Sequence, residues 1–416
     1  MQKTLSLLFL FILLSNLTFS QAVKEITPPE YIKTVNFTKE NTVLNGVPLI
    51  KLGETFSVHF DDIIGDESYY YYKISHYNFD WTPSVLNKNN FLSGIDNVSI
   101  NNTENSLNTL QIFTNYTVTI PNENTHGITK TGNYVFEIYN DNEQLVFTKK
   151  FIVYDNTAII NTNIKRSRDI RFLREKHVVQ FTIESAELLI AADRNLKTVI
   201  LQNSQLNTAI TNLKPQFAIG NTYTYKYDQE ASFFAGNEYL NFDNKDLLSA
   251  TGTIAQNNLE ELYNSYLYAN EYRALKPYTF NPDVNGNYVI RNINAVNNTI
   301  EADYVWVHFE LDAREIRNKE VHLYGNFNNF KLNEETLLTY DRKISAYTGK
   351  LLLKQGFYNY KFVTKTIDNK IDKNEIGGNF DTTENEYIVI VYYKGPTDRT
   401  DKIIGVGSAN SKDITN

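Results

Sequence analysis

Residues 134–139 are Tyr134-Val135-Phe136-Glu137-Ile138-Tyr139, and this stretch decides the fold class. In an extended chain successive side chains face opposite sides, so the even-numbered aromatic and apolar residues share one face. Such period-two alternation predicts a β-strand. Turn-forming residues precede it at Lys130–Asn133, and the apolar run Leu145–Tyr154 follows as its predicted hairpin partner.

Similar alternating runs recur along the chain and are separated by polar turns, a pattern typical of β-sandwiches. The other predicted strands are Thr55–Phe60, Tyr116–Ile120, Ile159–Lys165, His177–Glu184, Lys197–Asn203, Tyr304–Leu311, Glu320–Tyr324, Gly349–Leu353, Tyr358–Thr364 and Tyr387–Tyr393. A helix is predicted at one place, Asn257–Leu275, against an aromatic pattern that also suits strands.

The sequence therefore predicts an all-β protein of three tandem immunoglobulin-like β-sandwich domains. We expect these domains at residues 21–155, 156–298 and 299–395, joined by a few residues each because no long low-complexity linker separates the runs. Beyond Pro396 the chain turns polar, and residues 396–416 are expected to form a loosely ordered tail.

Composition agrees with a strand-rich protein and limits its chemistry. The chain has 29 Tyr and 25 Phe but a single Met, and aromatic residues favour strands. It has 40 Lys and Arg against 48 Asp and Glu, with no basic patch, so nucleic acid is not an expected partner. Cysteine is absent, which excludes disulfides, zinc-thiolate sites and thiol nucleophiles in this chain.

The first twenty residues have the pattern of a secretory signal peptide. Lys3 precedes the apolar run Leu5–Leu14, and a short polar stretch with small residues ends at Ser20. The apolar run is too short to span a bilayer. We expect residues 1–20 to be removed on export, which leaves Gln21 as the mature N-terminus.

Several phrases of the chain resemble the plug proteins of the type IX secretion system, a Gram-negative outer-membrane export machine. They occur in the expected order over nearly the whole mature chain: Ile74–Trp81, Asn108–Asn124, Thr131–Val135, Asn237–Phe242, Gly286–Arg291, Leu353–Tyr360 and Thr383–Tyr387. The chain departs from the family at Tyr77, where the family often has a cysteine.

The resemblance implies a non-enzymatic periplasmic protein that docks on the large outer-membrane β-barrel of the translocon and closes its periplasmic opening. The size of the chain suits that role. About 395 mature residues in one compact body have a radius of gyration of about 21 Å, hence a diameter above roughly 50 Å.

A second resemblance suggests an alternative function. The runs Val321–Phe330 and Gly356–Phe362 are similar to the glycogen-binding-type, early-set immunoglobulin-like domains, which bind sugars through exposed tryptophans. Here Phe330 follows the two asparagines, and Trp306 lies within a predicted strand. We expect both aromatic residues to pack in a core, which argues against sugar binding. A periplasmic or secreted glycan-binding protein is the alternative to a plug.

No motif indicates catalysis, a cofactor or a metal. The chain lacks a nucleophile elbow, a phosphate-binding glycine loop and a His-Glu-x-x-His motif. The six histidines show no metal-ligand spacing, although His308 and His322 are expected on adjacent strands. The loop Asp368–Glu375 has lysines where a calcium loop needs oxygen ligands and a glycine, so a solvated hairpin loop is expected.

Two aromatic groups remain as candidate site residues. Trp81 is expected to fill the first core and His76 to satisfy a nearby turn. The run Tyr69, Tyr70, Tyr71, Tyr72 is the candidate partner-binding strand, because alternation buries two of the rings and leaves two for an interface.

Overall fold

The predicted strand at residues 134–139 lies at the centre of a five-stranded sheet in the first unit. The computed structural model describes residues 21–186, 188, 194–250 and 252–414. The predicted signal peptide at residues 1–20 lies outside the described residues.

The first unit contains strands β1 to β12, and its two five-stranded sheets have the orders β2-β1-β4-β9-β8 and β3-β12-β11-β5-β7. The strands are β1 Ile32–Lys39, β2 Thr42–Val43, β3 Leu49–Lys51, β4 Phe56–Asp62, β5 Tyr70–Tyr77, β6 Leu92–Gly94, β7 Val98–Ser99, β8 Thr103–Asn105, β9 Thr114–Ile120, β10 Thr125–Ile128, β11 Gly132–Asn140 and β12 Leu145–Tyr154. Strands β11 and β12 pair as the predicted hairpin. Phe37, Phe60, Tyr116, Phe136 and Phe151 pack between the two sheets.

The middle of the chain forms strands β13 to β24. They are β13 Ile159–Arg166, β14 Lys176–Glu184, β15 Leu196–Gln202, β16 Gln205–Thr211, β17 Phe217–Ile219, β18 Thr222–Tyr225, β19 Ser232–Phe234, β20 Leu240–Asp243, β21 Ile254–Leu259, β22 Tyr263–Leu267, β23 Asn270–Glu271 and β24 Tyr288–Ile290. The predicted helix at Asn257–Leu275 is wrong, because β21 and β22 pair as an antiparallel hairpin there. The pattern of Tyr263, Tyr266 and Leu267 suits one strand as well as one helical turn, and pairing with β25 selects the strand.

The C-terminal part contains one short helix and strands β25 to β32. The elements are α1 Asn298–Glu301, β25 Tyr304–Asp312, β26 Lys319–Tyr324, β27 Leu337–Asp341, β28 Ala346–Lys354, β29 Gly356–Thr366, β30 Ile371–Asp372, β31 Glu386–Tyr393 and β32 Lys402–Asn410. Short 3-10 turns occur at Lys88–Asn90, Ile170–Phe172, Asn326–Asn328, Glu334–Thr336 and Ser411–Asp413.

The strand pairing crosses the boundary expected at residue 299. A four-stranded sheet has the order β16-β15-β31-β32, so the second segment shares a sheet with the end of the chain. An eleven-stranded, nearly closed barrel-like sheet joins β20 to β24 with β25 to β30. The protein is therefore mostly β, with several sheets whose strands come from distant parts of the sequence.

The prediction of a loosely ordered tail after residue 395 is wrong. Residues Lys402–Asn410 form β32, which pairs with β31 along its length and buries Ile403 and Ile404. Gly405 and Gly407 allow this strand to approach β13 closely, because a Cβ atom at either position would lie within 3.0 Å of atoms of Ile160. The strand was not predicted because its few apolar residues are interrupted by Gly405, Gly407 and Ser408 and form no long alternating run.

A buried ion pair fixes the first unit against the barrel-like sheet. The Lys354 Nζ donates to Asp61 Oδ2 at 2.7 Å, and the two side chains are only 2% and 1% exposed. The same carboxylate accepts from the Tyr304 hydroxyl and from Asn115 Nδ2, both at 2.7 Å. Burial lowers the pKa of Lys354. The ring of Phe113 lies 3.9 Å below the ammonium group.

We expect Lys354→Met to lower the free energy of unfolding by about 3–5 kcal/mol, because it leaves the Asp61 carboxylate buried without a countercharge. Asp61→Asn combined with Lys354→Met should recover part of this loss. Lys350→Met, on the same strand but exposed, should change stability by less than about 1 kcal/mol. Urea unfolding measured by tryptophan fluorescence tests this, and equal effects of Lys354→Met and Lys350→Met would contradict it.

Candidate interaction surface

The tyrosine run predicted to bind a partner alternates between core and surface. Tyr69 is 68% exposed in the loop before β5, and Tyr71 is half-buried on the outer face of the sheet. Tyr70 and Tyr72 lie in the core, where their hydroxyl groups contact Asp62 Oδ2 and Thr125 Oγ1, each at 2.8 Å. The predicted alternation is confirmed, and only Tyr69 and Tyr71 are within reach of another molecule.

Loops of the first unit and the segment between β24 and α1 carry exposed apolar side chains. We call this set the apolar loop surface; its members are Ile64, Leu107, Leu110, Ile112, Ile293 and Val296. Val296 is 98% exposed, and the other five are each about half exposed. Exposed apolar groups that cluster in this way are typical of interaction sites.

Backbone hydrogen bonds hold the loops of this surface together. The Asp303 carboxylate accepts from the backbone N–H groups of Leu110, at 2.8 Å, and Gln111, at 3.2 Å. Gln111 Nε2 donates to the Ile63 carbonyl at 2.9 Å. The Leu107 N–H donates to the Ile300 carbonyl at 2.9 Å. Three separate loops are therefore fixed relative to one another.

The side chain of Ile112 completes this packing. It lies directly over Gly65, where a Cβ atom would come within 2.6 Å of Ile112 Cδ1. Gly65 also has a φ of +82°, which a residue with a side chain rarely adopts. A glycine is required here both by the backbone and by the isoleucine that covers it.

The loops that carry this surface have few charges. Residues 105–122 and 292–300 contain no Asp, Glu, Lys or Arg. The 63–69 loop contains two acidic residues, Asp66 and Glu67, and both are exposed. Depletion of charge together with exposed apolar groups is the composition of a protein–protein interface core.

This surface could not be found by looking for aromatic strands. Its members lie in loops with the sequence pattern of ordinary turns, and they become neighbours only through the contacts of Asp303 and Ile300. The available signal was the long uncharged run from Asn105 to Asn122 that contains Leu107, Leu110 and Ile112.

Trp81 does not fill the first core, so that prediction is wrong. It is half-buried, with a φ of +63°, in a cluster that joins the first unit to the sheet of β15 and β31. The Lys150 Nζ lies 4.3 Å from its ring centroid. His76 is buried, and its Nε2 lies 3.4 Å from the Thr131 carbonyl in the turn before β11, as expected. Burial lowers its pKa to about 4.

Of the two aromatic residues expected in a core of the C-terminal part, one is buried and the other is not. Phe330 is buried beside Tyr324, as predicted. Trp306 lies half-buried on the outer face of β25 with the Lys350 Nζ 4.4 Å from its ring centroid, so its assignment to a core is wrong. Strands β27 and β28 separate His308 from His322, so these histidines are not on adjacent strands.

The polar features of the described residues have local structural roles. His308 Nε2 contacts Asn264 Oδ1 at 2.8 Å, and His322 contacts Thr336 and Glu320. Asp368–Glu375 spans the turn and second strand of the β29–β30 hairpin, as predicted. The described ranges contain no group of three or more potential metal-ligating side chains. No helix within those ranges is long and apolar enough to cross a membrane.

Comparison with known proteins identifies the first unit. A family model described as the type 9 secretion system plug protein 1st domain matches residues 32–155. The crystal structure of a hypothetical protein from Parabacteroides merdae has 27% sequence identity and a TM-score of 0.88, over 94% of this chain and 100% of that chain. No curated protein matches the sequence.

Two further solved structures were also matched at 9% sequence identity. They are a biofilm-associated protein BSP domain and trypsin-activated alpha-2-macroglobulin from Escherichia coli. Their TM-scores of 0.17 and 0.18 are too low to support any argument about this chain. The family model and the ordered phrases of the sequence agree on one assignment. Residues 32–155 of this chain therefore form a type 9 secretion system plug protein 1st domain.

Proposed function

We propose that the protein is a non-enzymatic periplasmic plug that docks on the outer-membrane translocon barrel of the type IX secretion system and closes its periplasmic opening. The observation that carries the proposal is the match of residues 32–155 to the first domain of the plug proteins. The same domain supplies the exposed apolar residues Ile64, Leu107, Leu110 and Ile112. The docking surface would be the apolar loop surface, together with Tyr69 and Tyr71.

The way the units are joined supports a role as a lid. A lid must keep its shape while one side meets solvent and the other meets the pore. The Asp61–Lys354 pair and the Asp303 contacts connect the first unit to the C-terminal part through buried polar groups. We also propose that the two-sheet first unit is an immunoglobulin-like sandwich.

The charge distribution indicates how docking would respond to salt. The apolar loop surface comes mainly from loops without charged residues, so apolar contact would dominate its binding energy. Salt screens interactions between exposed charges and weakens apolar contacts little. Association with the barrel should therefore survive moderate ionic strength.

The alternative of glycan binding rests on Trp306. Trp306 faces outward on β25 and is half-buried. Beside it, the rings of Tyr266 and His308 stack with their centroids 4.1 Å apart. Lys350 occupies a position over its ring, where a sugar would have to stack. This arrangement favours the plug over a sugar-binding protein.

The docking surface can be tested with Val296→Asp and Leu107→Asp. Each change places a carboxylate in the proposed apolar interface, where it would be desolvated without a partner. We expect at least about tenfold weaker association, which corresponds to about 1.4 kcal/mol. The measurement is recovery of the barrel with the tagged protein from solubilised outer membranes.

The matched control is Ile367→Asp, since Ile367 is also highly exposed. Ile367 follows the last residue of β29, and Gly356 is the first residue of that strand. The eleven residues of β29 span about 37 Å, which separates Ile367 from the end of the strand nearest the apolar loop surface. This variant should bind like the unmodified protein. Equal recovery of the barrel by all three variants would remove the apolar loop surface from the proposal.

Deletion of the gene tests closure itself. The translocon should remain assembled but leaky, so large antibiotics or dyes should enter more readily, while secretion falls little. The measurement is uptake of an impermeant dye in strains with and without the protein. Unchanged permeability with the barrel present would contradict the plug role, and loss of all secretion would indicate an assembly factor instead.

Sugar binding is tested by isothermal titration with soluble α-glucans. Because Lys350 lies over Trp306, we expect no heat of binding at millimolar sugar concentrations. Binding that is lost in Trp306→Ala, with the fold retained by circular dichroism, would support the glycan-binding alternative.

A further inference from the structure

A lysine, an asparagine and a glutamate from three distant parts of the chain meet where β12 contacts the C-terminal part. The Lys149 Nζ donates to Asn329 Oδ1 at 2.5 Å, and Asn329 Nδ2 donates to Glu25 Oε2 at 2.9 Å. Lys149 and Asn329 are 180 residues apart in the sequence. The side-chain amide of Asn329 therefore lies between an amine and a carboxylate.

Lys149 is placed to act as a nucleophile. Its side chain is buried, and its position in β12 is fixed by pairing with Phe136 of β11. A carbonyl bond is about 1.23 Å long, so Asn329 Cγ lies no farther than about 3.7 Å from Lys149 Nζ. Burial lowers the pKa of Lys149 to about 8, although the charge of Glu25 opposes this. About a tenth of the amine is then uncharged at pH 7, and the uncharged form attacks carbonyl carbon.

The backbone of Asn329 is held in one conformation. Asn329 follows the 3-10 turn Asn326–Asn328 with a φ of +55°, and its N–H donates to the Asn326 carbonyl at 2.9 Å. The next residue, Phe330, is buried, and its N–H donates to the Gly325 carbonyl at 2.8 Å. The amide group is thus presented to Lys149 from a fixed loop.

Glu25 is placed to carry a proton. Its side chain is 12% exposed and also accepts from the Lys331 Nζ at 3.0 Å and from the Lys150 backbone N–H at 2.6 Å. Burial alone would raise the pKa of Glu25, but the charges of Lys149 and Lys331 and the hydrogen bonds that it accepts lower it. The carboxylate is therefore ionised, and it contacts the nitrogen of Asn329 that an attack on Cγ would release.

We propose that Lys149 and Asn329 become joined by an intramolecular isopeptide bond, with Glu25 as the catalytic residue. The uncharged Lys149 amine attacks Asn329 Cγ, so that a bond from Nζ to Cγ forms and the bond from Cγ to Nδ2 breaks. Glu25 takes the proton that Nζ loses and gives it to Nδ2, which leaves as ammonia. The reaction needs no oxidant, reductant or co-reactant. Lys149 and Asn329 also line a groove of about 710 Å³, through which ammonia can leave.

The bond fastens the first unit covalently to the C-terminal part, the same two parts that the Asp61–Lys354 pair joins. A chain without cysteine cannot place a disulfide at this joint. A covalent link between positions so far apart in the sequence stabilises the fold chiefly by restricting the unfolded chain.

The test is mass spectrometry of the full mature chain after denaturation and digestion with trypsin. Trypsin does not cleave after an acylated lysine, so the bond joins residues 131–150 to residues 320–331 in one branched peptide. We expect this peptide, lighter by about 17 Da than its two linear parts because ammonia has left. The loss must be located in this way, since cyclisation of an N-terminal glutamine also releases ammonia. Recovery of only the linear peptides would show a hydrogen bond alone and would overturn the proposal.

Three variants separate the chemical roles from structural ones. Lys149→Arg should yield no branched peptide, because the nucleophile is gone. Glu25→Gln keeps the shape of the side chain but cannot accept a proton, so bond formation after refolding should slow by at least about a hundredfold. The matched control is Lys150→Arg, since the neighbouring Lys150 Nζ lies over the Trp81 ring, 4.3 Å from its centroid. This control should form the bond like the unmodified protein.

An unchanged rate in Glu25→Gln, with the fold retained by circular dichroism, would overturn the catalytic assignment of Glu25. If a variant does not fold, the digest of the unmodified protein still decides whether the bond exists. These outcomes do not depend on docking to the translocon, so the plug function and the isopeptide bond can fail separately.

Discussion

The buried pair of Asp61 and Lys354 is the contact on which the arrangement of the units depends. An ion pair removed from water gains little over an apolar contact unless every remaining polar group is satisfied. Here the carboxylate accepts from Lys354, Tyr304 and Asn115, and the ammonium also donates to the Thr299 carbonyl at 2.5 Å. Such a network is satisfied in one geometry, so β4 and β9 are fixed relative to β25 and β28.

The apolar loop surface depends on this same joint. Asp303 receives the N–H groups of the 110–111 loop, and the next residue is Tyr304, whose hydroxyl binds Asp61. Gln355 follows Lys354 and donates its backbone N–H to the Asp303 carbonyl at 2.8 Å. Tyr304 and Lys354, at the ends of β25 and β28, thus hold the interior network, and the adjacent Asp303 and Gln355 connect it to the exposed loops. A change at Lys354 should therefore disturb the apolar loop surface as well as the stability.

Local pattern was enough to predict most strands, because alternation reports which face of a strand is buried. The stretch at residues 134–139 and its partner β12 were found in this way. Pairing between distant strands leaves no such pattern: β15 pairs with β31, nearly two hundred residues later, and β32 follows in the same sheet. Trp81 was misplaced for the same reason, since the cluster around it contains residues from β15 and β31. The apolar loop surface was missed because its loops meet only in three dimensions.

Buried polar groups, more than linkers, determine how the parts of this chain are assembled. Besides Asp61, Glu25 accepts from the Lys150 N–H at 2.6 Å and from Asn329 Nδ2 at 2.9 Å, which ties the N-terminal segment to both β12 and the C-terminal part. Tyr392 donates to Asn133 Oδ1 at 2.7 Å and joins β31 to the first unit. Apolar faces alone would tolerate sliding between sheets, whereas hydrogen-bonded groups at each joint lose their partners when the sheets shift. In the proposed plug function, a body joined in this way would cover the opening by its shape, and its release would require breaking only the external contacts.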